Sequence, residues 1–127
     1  MNNKDSNEKS NYMFNEKSEI LKKTAIEYFA SGEDEFKKER YNSSVVLFFK
    51  SLVAFIDLYI LQKTGNTPSS HIERFRVTKT NFSEVYNLLD KDFPFYQDSY
   101  VHLMGKELAE VIKNDARVMA EKTKVKI

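Results

Sequence analysis

His102 has the sequence surroundings best suited to chemistry in this chain. It lies in the segment YQDSYVHLM, close to Tyr96 and Asp98, and these three side chains could line a polar groove where a late helix begins. The imidazole would then accept or donate a proton, as His often does near neutral pH. A lone imidazole without a fixed partner is more often a surface or dimer-interface residue, and this second interpretation is favoured.

Metal and cofactor chemistry find little support in the sequence. His71 directly follows Ser70, which is expected to cap a helix, so a structural role is favoured for this histidine. His71 and His102 are far apart along the chain, and the chain has no cysteine. We therefore expect no metal site and no cofactor.

Lys50 and Asp57 interrupt an otherwise apolar run. A charge in such a helix costs free energy unless it is paired or solvated, so the two residues could line a ligand cleft between helices. The more frequent explanation of such a pattern is a stripe where the helix meets solvent or forms an interhelix ion pair.

A small basic cluster offers a second candidate for ligand binding. Arg74, Arg76 and Lys79 lie next to Phe75 and Phe82, and cations interleaved with aromatic rings can hold phosphates and stack bases. A solvated helix face has the same composition, so nucleic acid remains a weakly supported partner.

Composition indicates a single domain with a core. The 127 residues include 41% hydrophobic and 31% charged side chains, a balance that supports a core beneath a solvated surface. The formal net charge is only +1, so no overall electrostatic field attracts the protein to nucleic acid or to an anionic membrane. The lack of cysteine fits a reducing compartment, and residues 1–13 are polar, without a secretory signal. We expect a cytoplasmic protein that does not contact a membrane, because Lys50, Ser51 and Asp57 interrupt the apolar run.

Helical spacing dominates the first half of the sequence. Residues 1–13 are expected to be disordered, and a first helix is expected from about Asn15 to Ala30. Ser31 and Gly32 should break this helix or bend it, or else one kinked helix continues to Arg40.

A very apolar central helix is expected from Asn42 to Leu61. Asn42, Ser43 and Ser44 can cap its start, and Gly65 is a natural stop. Its polar positions recur every seven residues and therefore form one narrow stripe. They are Ser43, Lys50, Asp57 and Thr64.

The second half predicts two short helices and one long helix. Ser70 and Glu73 have the spacing of a capping box and open the first, which continues through Val77. The second runs from about Phe82 to Leu89, and the long helix from Asp92 or Pro94 to about Met119. The sequence thus predicts an all-α fold, an antiparallel four- to five-helix bundle over residues 14–121, with a frayed basic tail at 122–127.

The chain resembles the HEPN domains of archaea and bacteria, most closely in YNSSVVLFFKSLVAFIDLYILQKTGNTPSSHIERF. Those proteins pair an E/G-x-Y-x-x-A-V helix start with a very apolar second helix, a Gly-containing turn and a Ser-His opening of the third helix. The corresponding elements here are residues 39–45, the apolar run 45–61, Gly65, and Ser70 with His71. As a pattern, the resemblance covers residues 18–120.

The resemblance implies a helical bundle that often forms a homodimer. Such domains occur in toxin ribonucleases of toxin–antitoxin pairs, in partners of small nucleotidyltransferases and in inactive binding modules. The ribonuclease members carry an Arg and a later His with four to six residues between them, and neither His71 nor His102 has an Arg at that spacing. RNA cleavage by the 2′-hydroxyl needs both a proton acceptor and a cation for the developing phosphorane.

The missing arginine favours a non-catalytic HEPN-like binding module over an enzyme. Such a module would bind itself, another protein, or a nucleotide or nucleic-acid ligand. The alternative is a divergent ribonuclease or toxin–antitoxin component with a site around His102. For self-association, the predicted surface is an aromatic cluster at the start of the long helix, formed by Phe93, Phe95, Tyr96 and Tyr100.

Overall fold

The computed structural model describes the backbone of residues 3–127 and the side chains of residues 8–9 and 11–127. Within these residues every regular element is an α-helix, which confirms the predicted all-α fold and its bundle around one apolar helix. The five helices are α1 (Asn3–Lys37), α2 (Tyr41–Thr64), α3 (His71–Asn81), α4 (Ser83–Asp98) and α5 (Lys106–Lys122).

Helix α2 is the centre of the bundle, as the sequence predicts. It packs against α1, α4 and α5, and its large apolar side chains are almost completely removed from solvent. Burying each such side chain contributes roughly 1.5–3 kcal/mol. By length and composition α2 could also cross a membrane, but 67% of its most apolar stretch is buried within the bundle. This burial is typical of a core helix.

Helices α1 and α2 approach closely because α1 carries small residues on its inner face. Ser51 Oγ donates to the carbonyl of Ala25 at 2.8 Å, and Gly32 lies directly against the ring of Phe48. Of the two alternatives expected at Ser31 and Gly32, a break or bend and one helix that continues to Arg40, the structure has the continuous helix, which ends at Lys37. The glycine here serves a helix–helix contact rather than a turn.

Both ends of the chain differ from the sequence-based boundaries. Helix α1 begins at Asn3 rather than Asn15, while Tyr12 and Met13 are mostly exposed and add nothing to the core. Disorder over residues 1–13 stays a prediction. In the expected frayed tail, 122–127, Thr123 is buried and donates to the carbonyls of Met119 and Ala120. The start of the tail is therefore held by the end of α5.

The second half of the chain is divided differently from the prediction. The short helix expected to end near Leu89 and the start of the expected long helix are one element, α4, which continues through Pro94. Pro94 is exposed, so solvent can satisfy the carbonyl that loses its amide partner. The expected helix from Asp92 to Met119 is wrong, because residues 99–105 leave the helix before α5 begins at Lys106.

Candidate functional site

A cleft of about 510 Å³ opens on the face of α2 that α5 does not cover. Helix α2 supplies its floor, α1 lines one side, and the start of α3 and the end of α4 line the other. The volume is within the range of small-molecule sites in proteins. The side chains that line it include Leu21, Tyr28, Phe49, Lys50, Val53, Ala54, Asp57, His71, Arg74 and Tyr96.

Arg74 and Asp57 form a nearly buried ion pair at one end of the cleft. The guanidinium donates twice to the carboxylate, from Nε to Oδ1 at 2.7 Å and from Nη2 to Oδ2 at 2.9 Å. Such fork-to-fork pairing is both strong and geometrically specific. The pair ties α3 to α2, so the structure supports the ion-pair interpretation of Asp57 and leaves this end of the cleft without net charge.

His71 extends this polar end. Arg74 Nη1 donates to His71 Nδ1 at 2.9 Å, which leaves the second ring nitrogen, Nε2, to carry the proton of a neutral imidazole. Burial lowers the pKa of His71, and the positive charge of Arg74 acts in the same direction, while Asp57 opposes it. The ring is therefore a neutral polar group at physiological pH.

Lys50 lies two helical turns before Asp57, about 10 Å away along the axis of α2. Its side chain is exposed, with Nζ 6.0 Å from the centroid of the Tyr28 ring. Among the residues that the structure describes, no carboxylate lies within salt-bridge distance of Lys50 Nζ. Lys50 is thus the uncompensated charge of the cleft.

Tyr96 forms part of an aromatic wall rather than an acid–base group. Its ring stacks on Phe49 with centroids 4.5 Å apart, and its hydroxyl lies 2.9 Å from that of Tyr100. This hydroxyl pair, with burial, raises the pKa of Tyr96 to about 12. A phenol with so high a pKa is a poor proton acceptor near neutral pH.

The structure does not join His102 to this wall. His102 is exposed in the segment after α4, and Asp98 is exposed at the end of α4. The backbone of His102, and not its imidazole, is held by a hydrogen bond: Asn42 Nδ2 donates to the His102 carbonyl at 2.8 Å. No hydrogen bond or ion pair links His102, Tyr96 and Asp98 as side chains among the described residues.

The predicted basic cluster is also divided. Arg74 is buried in its ion pair, Arg76 is exposed, and Lys79 lies over the ring of Tyr86 at 5.9 Å. Arg76 therefore does not join Lys50, Asp57 and Arg74 in the cleft. Among the described residues, no group of three or more His, Asp or Glu side chains could hold a metal ion.

The aromatic cluster proposed for self-association is largely core. Phe93, Phe95 and Tyr96 belong to the last turns of α4, are partly buried and pack against the central cluster. Tyr100 is 69% exposed, and the residues after it continue the exposed surface, with Val101 at 74% and Leu103 at 95%. We call these three side chains, from residues 99–105, the apolar loop.

Asn42 holds the apolar loop in place. Besides its bond to His102, its Nδ2 donates to the carbonyl of Ser99 at 2.8 Å, and its Oδ1 accepts from the amide of Met104 at 2.8 Å. The sequence predicts Asn42 as a helix cap, but α2 has no side-chain cap. Three contacts across about 60 residues of chain have no local sequence signal.

Sequence reasoning assigned His71 a structural role and did not place Tyr28 in any site. A signal existed for His71, since a residue directly after a helix cap lies near the helix N-terminus, where polar groups often line a cleft.

Comparisons of the chain with protein-family models, curated proteins and solved structures gave no match.

Proposed function

We propose that this chain is a non-catalytic HEPN-like binding module that associates with a second copy of itself through the apolar loop. The observation that carries the proposal is the exposure of Tyr100, Val101 and Leu103 on a segment that Asn42 holds fixed. Large apolar side chains on an ordered surface segment typically mark an interaction site. Their fixed position lowers the entropy lost on binding.

A shallow groove beside the loop supports a symmetric arrangement. Asn42, Ser43, Val46 and Leu47 line about 330 Å³ at the start of α2, and Asn42 also contacts the loop. A projection and a recess on the same face can pair with their counterparts around a two-fold axis, the commonest symmetry of homo-oligomers.

The energetic scale is compatible with a reversible dimer. Three large side chains from each of two copies would contribute roughly 9–18 kcal/mol if they were fully buried. Association costs an estimated 4–15 kcal/mol. A net gain of about 8 kcal/mol, which lies within the range that these figures allow, corresponds to a dissociation constant of about 1 μM.

Leu103→Glu tests the proposal most directly. Leu103 is 95% exposed, so the variant should fold normally, while a carboxylate in the interface should prevent association. Sedimentation velocity at micromolar concentration should give twice the chain mass of 14.9 kDa for the unmodified protein and 14.9 kDa for the variant. Ile72→Glu is the matched control, because Ile72 is 84% exposed on α3, and it should remain dimeric.

A mass of 14.9 kDa for the unmodified protein would reject self-association, and the apolar loop would then suit a different protein partner, such as a nucleotidyltransferase. The alternative function is a divergent ribonuclease or toxin–antitoxin component that uses Tyr96, Asp98 and His102. It is less well supported because the Tyr96 hydroxyl is engaged with Tyr100. Cleavage of RNA that His102→Ala abolishes would favour this alternative.

A further inference from the structure

We infer that the cleft on α2 binds a small aromatic monoanion, with the ring between the walls of α1 and α4 and the anionic group on Lys50. This ligand site is distinct from the apolar loop and does not depend on self-association. The inference is carried by the division of the cleft into a charged end, an apolar middle and a neutral polar end.

The charged end provides one cation for one anion. Lys50 is the cleft residue whose charge no carboxylate of the described chain neutralises, whereas the charge of Arg74 is already matched by Asp57 at 2.7 and 2.9 Å. A charge-assisted hydrogen bond from the Lys50 ammonium would therefore select a single negative charge. A cationic ligand would meet Lys50 without any compensating carboxylate.

The middle of the cleft is apolar and aromatic. Leu21 lines it from α1, and Val53 and Ala54 line it from α2, between Lys50 and Asp57. Tyr28 and Tyr96 lie on the two sides. Aromatic side chains pack well against planar rings, so this section suits a ring better than a flexible polar chain.

The far end is polar but neutral. His71 accepts from Arg74 through Nδ1, so its Nε2 proton is the donor left for a ligand. Lys17 lines an adjoining groove that shares Leu21 and Asp57 with the cleft. Among the described residues that line the cleft, none supplies a second free cation for a dianion. The chemistry therefore fits an aromatic carboxylate better than an aromatic phosphate ester.

Isothermal titration calorimetry can test this with four probes: 2-naphthoate, 2-naphthyl phosphate, 2-naphthalenemethanol and cyclohexanecarboxylate. The unmodified protein should bind 2-naphthoate at one site and bind each of the other three more weakly. A tighter affinity for the phosphate would overturn the choice of a monoanion, and equal affinity for the cyclohexane acid would overturn the aromatic requirement.

Lys50→Met removes the charge and keeps much of the apolar stem. It should weaken 2-naphthoate binding by about ten-fold or more, the effect expected for one lost charge-assisted hydrogen bond, and leave 2-naphthalenemethanol unchanged. Lys63→Met is the matched control: Lys63 lies on the same helix, 5.5 Å from the Tyr59 ring, and does not line the cleft. Its affinity should equal that of the unmodified protein.

The location can be checked independently. Methyl NMR signals of Leu21, Val53 and Ala54 should shift on addition of 2-naphthoate, and Leu103→Glu should show the same shifts, because the apolar loop is a separate surface. No saturable binding to the folded protein, or equal binding by Lys50→Met, would overturn the inference, whatever the oligomeric state proves to be.

Discussion

Asn42 illustrates how one polar side chain at the start of a helix can serve a distant segment. Its type and position suggest a cap for α2, yet its amide and carbonyl oxygen make three hydrogen bonds of 2.8 Å to the segment after α4. These bonds satisfy backbone groups that leave the helical pattern between α4 and α5. The apolar loop is therefore ordered by a residue far away in sequence.

Asn42→Ala should lower the free energy of unfolding by about 1.5–4.5 kcal/mol, because three hydrogen bonds are lost and each contributes roughly 0.5–1.5 kcal/mol. Chemical denaturation measures this change, and hydrogen exchange at the Met104 amide should accelerate. Asn81→Ala is the control: Asn81 makes one local bond of 3.2 Å at the end of α3, and its loss should cost about 0.5 kcal/mol or less. Unchanged exchange at Met104 would contradict the role of Asn42.

At the scale of elements, the sequence predicts which faces are buried better than where helices end. The apolar spacing of α2 predicts its central position, and Ser70 accepts from the amide of Glu73 at 3.1 Å, as a cap does. Two of the boundary errors arise where a glycine is interpreted as a helix break and a proline as a helix start. Gly32 and Pro94 both lie inside helices. Gly32 is required there by its close contact with the ring of Phe48, and Pro94 is accommodated because it lies on the exposed face of α4.

Gly32→Ala should destabilise the protein although alanine favours helices. A Cβ at position 32 would lie 2.7 Å from two ring carbons of Phe48, which is fully buried and in contact with Phe29 and Phe36. Overpacking costs about 1–3 kcal/mol and the gain in helix propensity is about 1 kcal/mol, so a net loss of up to about 2 kcal/mol is expected in urea denaturation.

Ser31→Ala provides the comparison on the same turn of α1 and should be neutral or slightly stabilising. Phe48→Leu should cost less in the Gly32→Ala background than in the unmodified protein, because the smaller side chain relieves the contact. Strictly additive effects of the two substitutions would show that Gly32 and Phe48 do not clash as proposed.

At the scale of the whole molecule, the sequence predicts only part of the cleft lining, and at Lys50 and Asp57 it favours a solvent-facing stripe or an ion pair over a ligand cleft. The spacing of seven residues places Lys50 and Asp57 on one face of α2, and the structure brings both to the cleft. Arg74 meets Asp57, and Tyr96 meets Phe49, only because α3 and α4 fold back onto α2. Such tertiary pairings leave no periodic pattern in the sequence. Arg74 and Arg76 are therefore equivalent candidates for ligand binding in the sequence, although Arg74 is buried and Arg76 is exposed.

The interface between α4 and α5 contains an ionisable group that affects the stability of the whole bundle. Asp92 is completely buried, and among the described residues its two carboxylate oxygens have no hydrogen-bond partner. Lys91 Nζ lies 2.9 Å from Asp115 but 4.0 Å from Asp92. Burial raises the pKa of Asp92 to about 9, and the adjacent Asp115 carboxylate acts in the same direction. Two ionised carboxylates offer each other no donor and repel, whereas a protonated Asp92 can donate a hydrogen bond to Asp115.

A raised pKa means that the folded protein binds a proton that the unfolded chain has already released. Between the ordinary pKa of 3.8 and about 9, Asp92 therefore makes stability fall as pH rises, by at most about 1.4 kcal/mol per pH unit. Asp92→Asn keeps a donor for Asp115 and removes the proton uptake. At pH 8 the variant should be more stable than the unmodified protein by about 1–3 kcal/mol, and its advantage should shrink toward pH 4.

Thermal and urea unfolding across this pH range measure the free energy of unfolding of both proteins. Taking the difference between the two values cancels the contributions of all other titrating groups. Asp90→Asn is the control, since Asp90 is exposed on the same helix and its substitution should leave the pH dependence unchanged. Parallel stability curves for Asp92→Asn and the unmodified protein would mean that Asp92 is ionised in the fold. The Lys91 ammonium would then have to neutralise two carboxylates across the α4–α5 interface.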